Sequence, residues 1–288
     1  MQAKMQTQEG NLPDYIPLLV QANPNWLAVQ IQTVAGKTYS AGDIHCTFPV
    51  MSVVKPFVLL FLLQQLSTKV VFSHVGMEPS SLPFNSLTQL ETDKGYPRNP
   101  MINSGAIALC SILPGVDASS RCENLRLWLN QIAGCQLTLD NKMLDSVRSL
   151  PNDRNLAITE LLAQSGRIQS PEITLDTYNQ VCCLSGTVAD LARMGMLLVQ
   201  GNNAIAPQNC RIVNAIMATC GLYQASARFA VEVGLPTKSG VSGAILSIVP
   251  TQGAIACYSP ALDATGNSRA GIFLLQQLTQ NLNLSIFG

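Results

Sequence analysis

The sequence predicts an α/β fold, with an antiparallel sheet built from both chain ends, flanked by helices, and an inserted helical lobe. Residues 26–33 alternate apolar and polar side chains, as a half-buried strand does, and the turn Ala35-Gly36-Lys37 leads into a second strand at 38–41. Near the other end, short apolar runs at 244–250 and 254–258 predict two more strands. The patterns between the two ends are mostly helical.

The individual elements follow from local spacing. We expect a first helix at 11–21 and a third strand at 47–49, which delivers the chain to Ser52. A long apolar helix at 53–66 is too short, and too interrupted by Lys55 and Pro56, to span a membrane. A loop-rich region follows at 78–103, where Ser, Pro, Asn and Gly are frequent. Further helices are predicted at 86–92, 105–112, 121–133, 155–165, 188–200 and 269–281.

Size and composition indicate one catalytic domain. The chain has 288 residues, of which 47% are hydrophobic and 12% charged, as in a compact globular protein. Without a repeat or linker, we predict a single domain at 1–288, with a sheet lobe at about 11–60 and 215–288 and a helical lobe at about 61–214. The net charge of zero offers no basic surface for nucleic acid or an anionic membrane.

The cysteines and histidines predict no metal site and no cofactor. Nine cysteines include no CxxC pair, and His45 and His74 are far apart in the sequence. Scattered buried thiols are typical of a protein in a reducing compartment. The segment Met1 to Gly10 is polar and lacks the apolar core of a signal peptide, so we predict a cytoplasmic location.

The first chemical motif is Ser52-Val53-Val54-Lys55, an S-x-x-K arrangement at the start of the apolar helix. Positions three apart on a helix share a face, so the hydroxyl and the amine can meet. Serine becomes a good nucleophile once a base takes its proton, and burial can lower the pKa of a lysine enough for it to be that base. Alone the motif is weak, because this spacing is common by chance.

A second motif, Lys238-Ser239-Gly240, strengthens the first. S-x-x-K followed by K-[ST]-G before a strand is the pattern of penicillin-recognising serine enzymes. The glycine lets backbone approach a substrate, and an amide N–H of that strand could join the Ser52 N–H in an oxyanion hole. The third mark of that group, an S-D-N triplet, is missing from the sequence.

Several longer blocks make the resemblance specific. The order and spacing of these blocks, from about Gly10 to Phe287, resemble the serine-dependent glutaminases of the β-lactamase/transpeptidase-like fold. The blocks are Asp14-Tyr15-Ile16-Pro17, Phe48-Pro49-Val50-Met51-Ser52-Val53-Val54-Lys55, Arg98-Asn99-Pro100-Met101-Ile102-Asn103-Ser104-Gly105-Ala106, Asp153-Arg154-Asn155, Leu175-Asp176-Thr177-Tyr178, Thr219-Cys220-Gly221-Leu222-Tyr223, Gly234-Leu235-Pro236-Thr237-Lys238-Ser239-Gly240-Val241, Ser259-Pro260-Ala261-Leu262-Asp263 and Gly266-Asn267-Ser268.

The resemblance implies a reaction and a role for each site residue. L-glutamine and water would give L-glutamate and ammonia through an acyl-enzyme on Ser52, with Lys55 as its base, Tyr223 as the proton shuttle to the leaving ammonia and Tyr15 beside the serine. The amino-acid end of glutamine would be bound by Asn103, Asn155 and Tyr178, and the Val241 backbone would complete the oxyanion hole. The family also implies a homodimer or homotetramer. Asparagine amides and tyrosine hydroxyls suit a zwitterion, because their hydrogen bonds are directional.

One departure from the family pattern concerns the substrate. The family carries a glutamate for the substrate's α-ammonium shortly before the Arg-Asn pair, and here Arg148 takes its place, or Leu150 if the alignment carries a two-residue gap. A buried ammonium without a counter-charge is costly, and one facing an arginine is worse. Smaller departures are Gln224, Ser242 and Ala244.

Three functions therefore stay open at the level of sequence. The first is a glutaminase. The second is a serine amidase or esterase of the same fold with a different substrate, and the third is a non-catalytic glutaminase-like binding protein.

Overall fold

The computed structural model describes residues 2–149, 153–199 and 204–288. The strands are β1 Ala28–Thr33, β2 Thr38–Gly42, β3 Phe48–Pro49, β4 Thr138–Leu139, β5 Leu184–Gly186, β6 Thr237–Ser239, β7 Ala244–Val249 and β8 Gly253–Tyr258. The helices are α1 Gln2–Met5, α2 Lys55–Gln65, α3 Thr68–His74, α4 Leu87–Thr92, α5 Asn103–Cys110, α6 Ala118–Ala133, α7 Asn141–Ser149, α8 Asp153–Gln164, α9 Pro171–Cys182, α10 Val188–Val199, α11 Pro207–Cys220, α12 Ser226–Glu232 and α13 Arg269–Leu282.

The main sheet joins the two ends of the chain. Its order is β2-β1-β8-β7-β6, with each neighbouring pair antiparallel. β1 and β2 form a hairpin around Gly36, whose φ of 77° lies in the left-handed region that glycine adopts without strain. The predicted antiparallel sheet from both chain ends, with helices between them in the sequence, is confirmed.

Helices cover both faces of this sheet, which explains why β7 and β8 are buried at every position. Leu246 and Ala254 face α10, whose Gly195 approaches so closely that a Cβ there would lie 2.6 Å from the Ala254 Cβ. The alternate positions, Ile245 and Ile255, pack with Leu275 of α13. Strands buried on both faces lose the period-two alternation that marks β1, because neither face meets water.

A second, smaller sheet positions the S-x-x-K motif. Strand β3 exists as predicted but pairs with β5, in a three-stranded sheet of order β3-β5-β4, rather than with the main sheet. The Val50 amide donates to the Leu184 carbonyl at 2.7 Å. This pairing fixes the chain direction just before Ser52. The boundaries of the two lobes stay a prediction.

The segment 11–21 is not the predicted helix. Asn11 instead pairs with Leu262 as an antiparallel bridge, and only Leu19–Gln21 forms a short 3₁₀ turn. Pro13 and Pro17 explain the difference, since each lacks the N–H that a helix interior requires. The other helices predicted from spacing are present within a few residues of the expected bounds, except that the expected end at Gln200 lies outside the described residues.

Within the described ranges, no helix has both the length and the apolar character needed to cross a membrane.

Candidate active site

Ser52 lies in a 3₁₀ turn, Met51–Val54, that leads directly into α2. The preceding residue, Met51, has a φ of 45°, a left-handed conformation that is costly for a side chain with a Cβ. Gly240 permits the approach of the chain after β6, since a Cβ there would lie 2.8 Å from the Val50 carbonyl oxygen. This strained turn holds Ser52, 7% exposed, between the small sheet and the end of β6.

Lys55, the first residue of α2, is buried, with 1% of its surface exposed. Its Nζ donates to the Met101 carbonyl at 3.2 Å and to Asn103 Oδ1 at 2.8 Å, and it lies 5.7 Å from the centre of the Tyr178 ring. None of the ion pairs among the described residues involves Lys55. Burial lowers its pKa to about 8, because the charged amine loses its hydration.

A hydrogen-bonded network connects Lys55 to helices α5, α8 and α9. Asn103 Oδ1 accepts from Lys55 and from the Tyr178 hydroxyl at 3.1 Å, while its Nδ2 donates to Asn155 Oδ1 at 2.8 Å. All of these side chains are buried. Since each amide has a directional partner, the network fixes which atoms face the space above Ser52.

Tyr223 reaches the same place from the far end of the sequence. Its φ of 59° is left-handed, and its side chain is buried against Phe84, with ring centres 4.5 Å apart. Its hydroxyl hydrogen-bonds to Ser52 and donates to the Ser239 carbonyl at 3.4 Å. Burial raises the pKa of Tyr223 to about 12, although the side-chain hydroxyls of Ser52 and Ser239 oppose the shift. The hydroxyl therefore carries its proton at neutral pH.

A pocket of about 480 Å³ opens over Ser52. Its described lining residues are Tyr15, Ile16, Met51, Ser52, Phe84, Asn85, Asn103, Val147, Asp153, Arg154, Asn155, Tyr178, Asn179, Cys182 and Val241. Tyr15, half exposed, stands at its entrance, and Val241 lies just after β6. The fold thus places all the predicted site residues in or directly beside one pocket.

Sequence reasoning missed several lining residues. Cys182 lies one turn after Tyr178 on α9, so their shared helix face was the available signal. Asp153 and Arg154 precede Asn155 and bring both signs of charge to the pocket, with Arg154 Nη1 donating to Asn85 Oδ1 at 3.3 Å. Phe84 and Asn85 belong to the loop-rich region and carry no local signal.

Arg148 is placed away from the pocket, which corrects the expectation that it faces the substrate. Its Nε and Nη2 donate to Asp176 Oδ1 at 3.0 and 2.6 Å, and the side chain is 44% exposed. Its neighbour Val147 lines the pocket instead. The charge of Arg148 is therefore neutralised on the surface. The alternative position, Leu150, lies outside the described residues.

Across 2–149, 153–199 and 204–288, no three His, Cys, Asp or Glu side chains are grouped so that they could hold a metal ion.

The chain is similar to known proteins over nearly its whole length. A family model described as Glutaminase matches residues 10–287. The chain is 46% identical over 280 residues to a glutaminase of Synechocystis, covering 96% of this chain and 86% of the relative. A structure of a probable glutaminase of Bacillus subtilis superposes with a TM-score of 0.92 at 30% identity, covering 99% of this chain and 95% of that one.

A further solved structure, the covalent complex of a Bacillus subtilis glutaminase with 5-oxo-L-norleucine, formed by reaction with 6-diazo-5-oxo-L-norleucine, has a TM-score of 0.90 at 29% identity. It covers 99% of this chain and 96% of that one. The fold and the pocket thus define an enzyme of the β-lactamase-like class, as predicted. The chain belongs to the glutaminase family, and the prediction of a glutaminase enzyme is confirmed.

Proposed function

We propose that this protein hydrolyses L-glutamine to L-glutamate and ammonia through an acyl-enzyme on Ser52. The observation that supports this most is the convergence of Ser52, Lys55 and Tyr223 under one pocket, in a chain of the glutaminase family. The covalent complex of the Bacillus subtilis relative with a norleucine derivative supports a nucleophile in the same family.

In the acylation step, neutral Lys55 accepts the Ser52 proton as Oγ bonds to the side-chain carboxamide carbon of glutamine. The carbonyl oxygen becomes an oxyanion, for which the Ser52 and Val241 amides are the proposed donors. Tyr223 then passes a proton to the amide nitrogen while Lys55 restores the proton to the tyrosine, and the C–N bond breaks to release ammonia.

In the deacylation step, water takes the place of ammonia. Water passes a proton through the Tyr223 hydroxyl to Lys55 as the hydroxide adds to the ester carbon, and that proton returns to Ser52 Oγ as the C–O bond breaks. Glutamate leaves, and both side chains regain their starting protonation. The atoms of water and glutamine equal those of glutamate and ammonia, so the steps require no cofactor.

The pH dependence of this reaction follows from Lys55. The base must be neutral, and its pKa is lowered to about 8. We therefore expect kcat/KM to rise about tenfold per pH unit below 8 and to level off above it. A profile of initial rates of ammonia release between about pH 6 and 8.5 tests this. A flat profile would contradict Lys55 as the base.

The same shift also predicts a change in stability. The unfolded chain holds a proton on this lysine up to its ordinary pKa of 10.5, whereas the folded chain releases it near 8. Protonation of the buried Lys55 destabilises the folded chain, so the free energy of unfolding rises with pH between about 8 and 10.5. Below about pH 8 both states bind the proton, and the destabilisation is complete.

The amino-acid end of the substrate would lie against Asn103, Asn155 and Tyr178. A zwitterion also requires charges of both signs, and Asp153 and Arg154 supply them within the described lining of the pocket. Asp153 is the carboxylate of that lining, whereas Glu160, farther along α8, does not line it. We infer that Asp153 faces the α-ammonium in place of the family's glutamate.

Replacing Asp153 by asparagine tests this assignment. The ammonium would lose a charge-assisted partner worth about 1.5 kcal/mol at such an exposed position, so KM for glutamine should rise about tenfold at a similar kcat. Two control variants, Glu160→Gln on the same helix and Arg148→Ala on α7, should leave KM within about twofold. If Arg148→Ala shifts KM as much as Asp153→Asn does, the proposed contact is wrong.

The reaction itself is tested with glutamine and with compounds that would be substrates if the protein were a different amidase of this fold. Ammonia release is measured with glutamine and with a panel of other amides. Ring opening is measured separately with β-lactams. We expect glutamine to be preferred, and mass spectrometry after treatment with 6-diazo-5-oxo-L-norleucine should place an adduct on Ser52. Preference for another amide would indicate a different substrate, and a protein with neither turnover nor adduct would be a binding protein.

The cytoplasmic location and the homodimer or homotetramer stay predictions. Light scattering after size exclusion measures the subunit count directly.

A further inference from the structure

A second buried lysine lies beside the site and has no role in the steps above. Lys238, on β6, is 0% exposed. Its Nζ donates to the Gly221 carbonyl at 2.9 Å and to the Ser239 carbonyl at 2.7 Å, and none of the ion pairs among the described residues includes it. Burying an amine without a carboxylate destabilises the folded chain. A purely structural role in joining β6 to a neighbouring turn would not by itself explain a lysine at this position.

The surroundings of Lys238 centre on Tyr223. Its Nζ lies 4.2 Å from the centre of the Tyr223 ring, within the range in which a cation is attracted to an aromatic face. The Gly221 carbonyl that it binds comes two residues before Tyr223. The Ser239 carbonyl that it binds also accepts from the Tyr223 hydroxyl. One amine therefore contacts the turn that leads into Tyr223, the ring of Tyr223 and the carbonyl that accepts from its hydroxyl.

The backbone around this tyrosine needs such a restraint. Tyr223 has a left-handed φ of 59°, which costs energy for a residue with a Cβ. Gly221 packs so closely on β6 that a Cβ would lie 1.8 Å from the Thr237 carbonyl oxygen. Without a tether between the turn and the strand, the chain could relax out of this conformation, and the hydroxyl would leave Ser52.

We propose that Lys238 is a positioning residue for Tyr223, which ties the Gly221–Tyr223 turn to β6 and holds the phenol ring over Ser52. This inference rests on the proposed role of Tyr223 in proton transfer. Lys238 acts through the tyrosine and does not touch the reacting atoms.

The electrostatics of the neighbourhood are consistent with this role. Burial, and then the charge of Lys55, lower the pKa of Lys238 well below its usual range, while Cys182 and Cys220 oppose the shift. The charge of Lys55 thus disfavours the charged form of Lys238. An amine held by two carbonyls and a ring face stays in place in either protonation state, since two N–H groups remain to bind the carbonyls.

A double-mutant cycle separates positioning of Tyr223 from a general structural effect. Lys238→Met keeps the length of the side chain and removes its donors. We expect it to lower kcat for glutamine about tenfold or more, with KM changed less than threefold. In the Tyr223→Phe background, whose hydroxyl is already absent, the same change should lower kcat less than twofold. Equal losses in both backgrounds would overturn the inference, as would an unchanged kcat in the parent background.

A second variant serves as a control for a failure to fold. If thermal unfolding shows that Lys238→Met does not fold, Lys238→Gln replaces it, because a polar amide is tolerated in the buried site while its side chain is shorter than that of lysine and places no amine at the Tyr223 ring. The same comparison of the two backgrounds then decides. A parent protein that releases no ammonia from glutamine overturns the proposed function and this inference with it. An active parent with additive losses overturns this inference alone.

Discussion

Replacing Ser52 or Lys55 by alanine is expected to lower kcat for glutamine by about 10⁴-fold or more, the largest effect of any single substitution in this protein. Ser52→Ala removes the nucleophile. Lys55→Ala removes the base, takes the Lys55 donor from the Met101 carbonyl and leaves Asn103 Oδ1 with the Tyr178 hydroxyl as its remaining donor. Each variant retains only what binding and the oxyanion hole provide.

The two residues should act as a unit. Because each single variant already loses the same proton-transfer step, the double variant should be no more than about threefold slower than the slower single variant. Losses that multiply would show that they serve separate steps. The exposed Lys69→Ala on α3 is a matched control, expected to keep full activity. Thermal unfolding of Lys55→Ala and of the longer Lys55→Met distinguishes lost chemistry from lost folding.

Tyr223→Phe is expected to give the second largest loss, about a hundredfold or more in kcat. The substitution keeps the ring, which packs on Phe84 and contacts Lys238, and deletes the hydroxyl that bonds to Ser52 and the Ser239 carbonyl. Since burial raises the pKa of that hydroxyl to about 12, it is a proton donor at neutral pH.

A matched control for this variant is Tyr258→Phe. Tyr258 is also buried and stacks on Phe48, with ring centres 4.2 Å apart, but it does not line the pocket. It should retain nearly all activity, and both variants should unfold within a few degrees of the parent. If Tyr223→Phe is as active as Tyr258→Phe, Tyr223 is a core residue and no proton shuttle.

The sequence by itself predicted the features that depend on neighbours in the chain. Period-two alternation located β1, apolar runs located β7 and β8, and the spacing of Ser52 and Lys55 placed both at the start of α2. These patterns are readable because side chains within four positions already share a face in an isolated helix or strand. The order of the family blocks then gathered Asn103, Asn155, Tyr178 and Tyr223 as site candidates.

Only the tertiary structure decided what each of those residues contacts. Asn11 pairs with Leu262, about 250 positions away, although nothing near either residue in the sequence indicates that pairing. Arg148 turned to Asp176, on another helix, and Asp153 came to the pocket instead. These contacts depend on which surfaces the packed helices and sheets bring together. They contribute to the free energy of folding only once that packing has formed. The spacing of residues along the chain does not encode this packing. The position of Asp153 in the pocket, and of Arg148 away from it, could therefore not be predicted from the sequence.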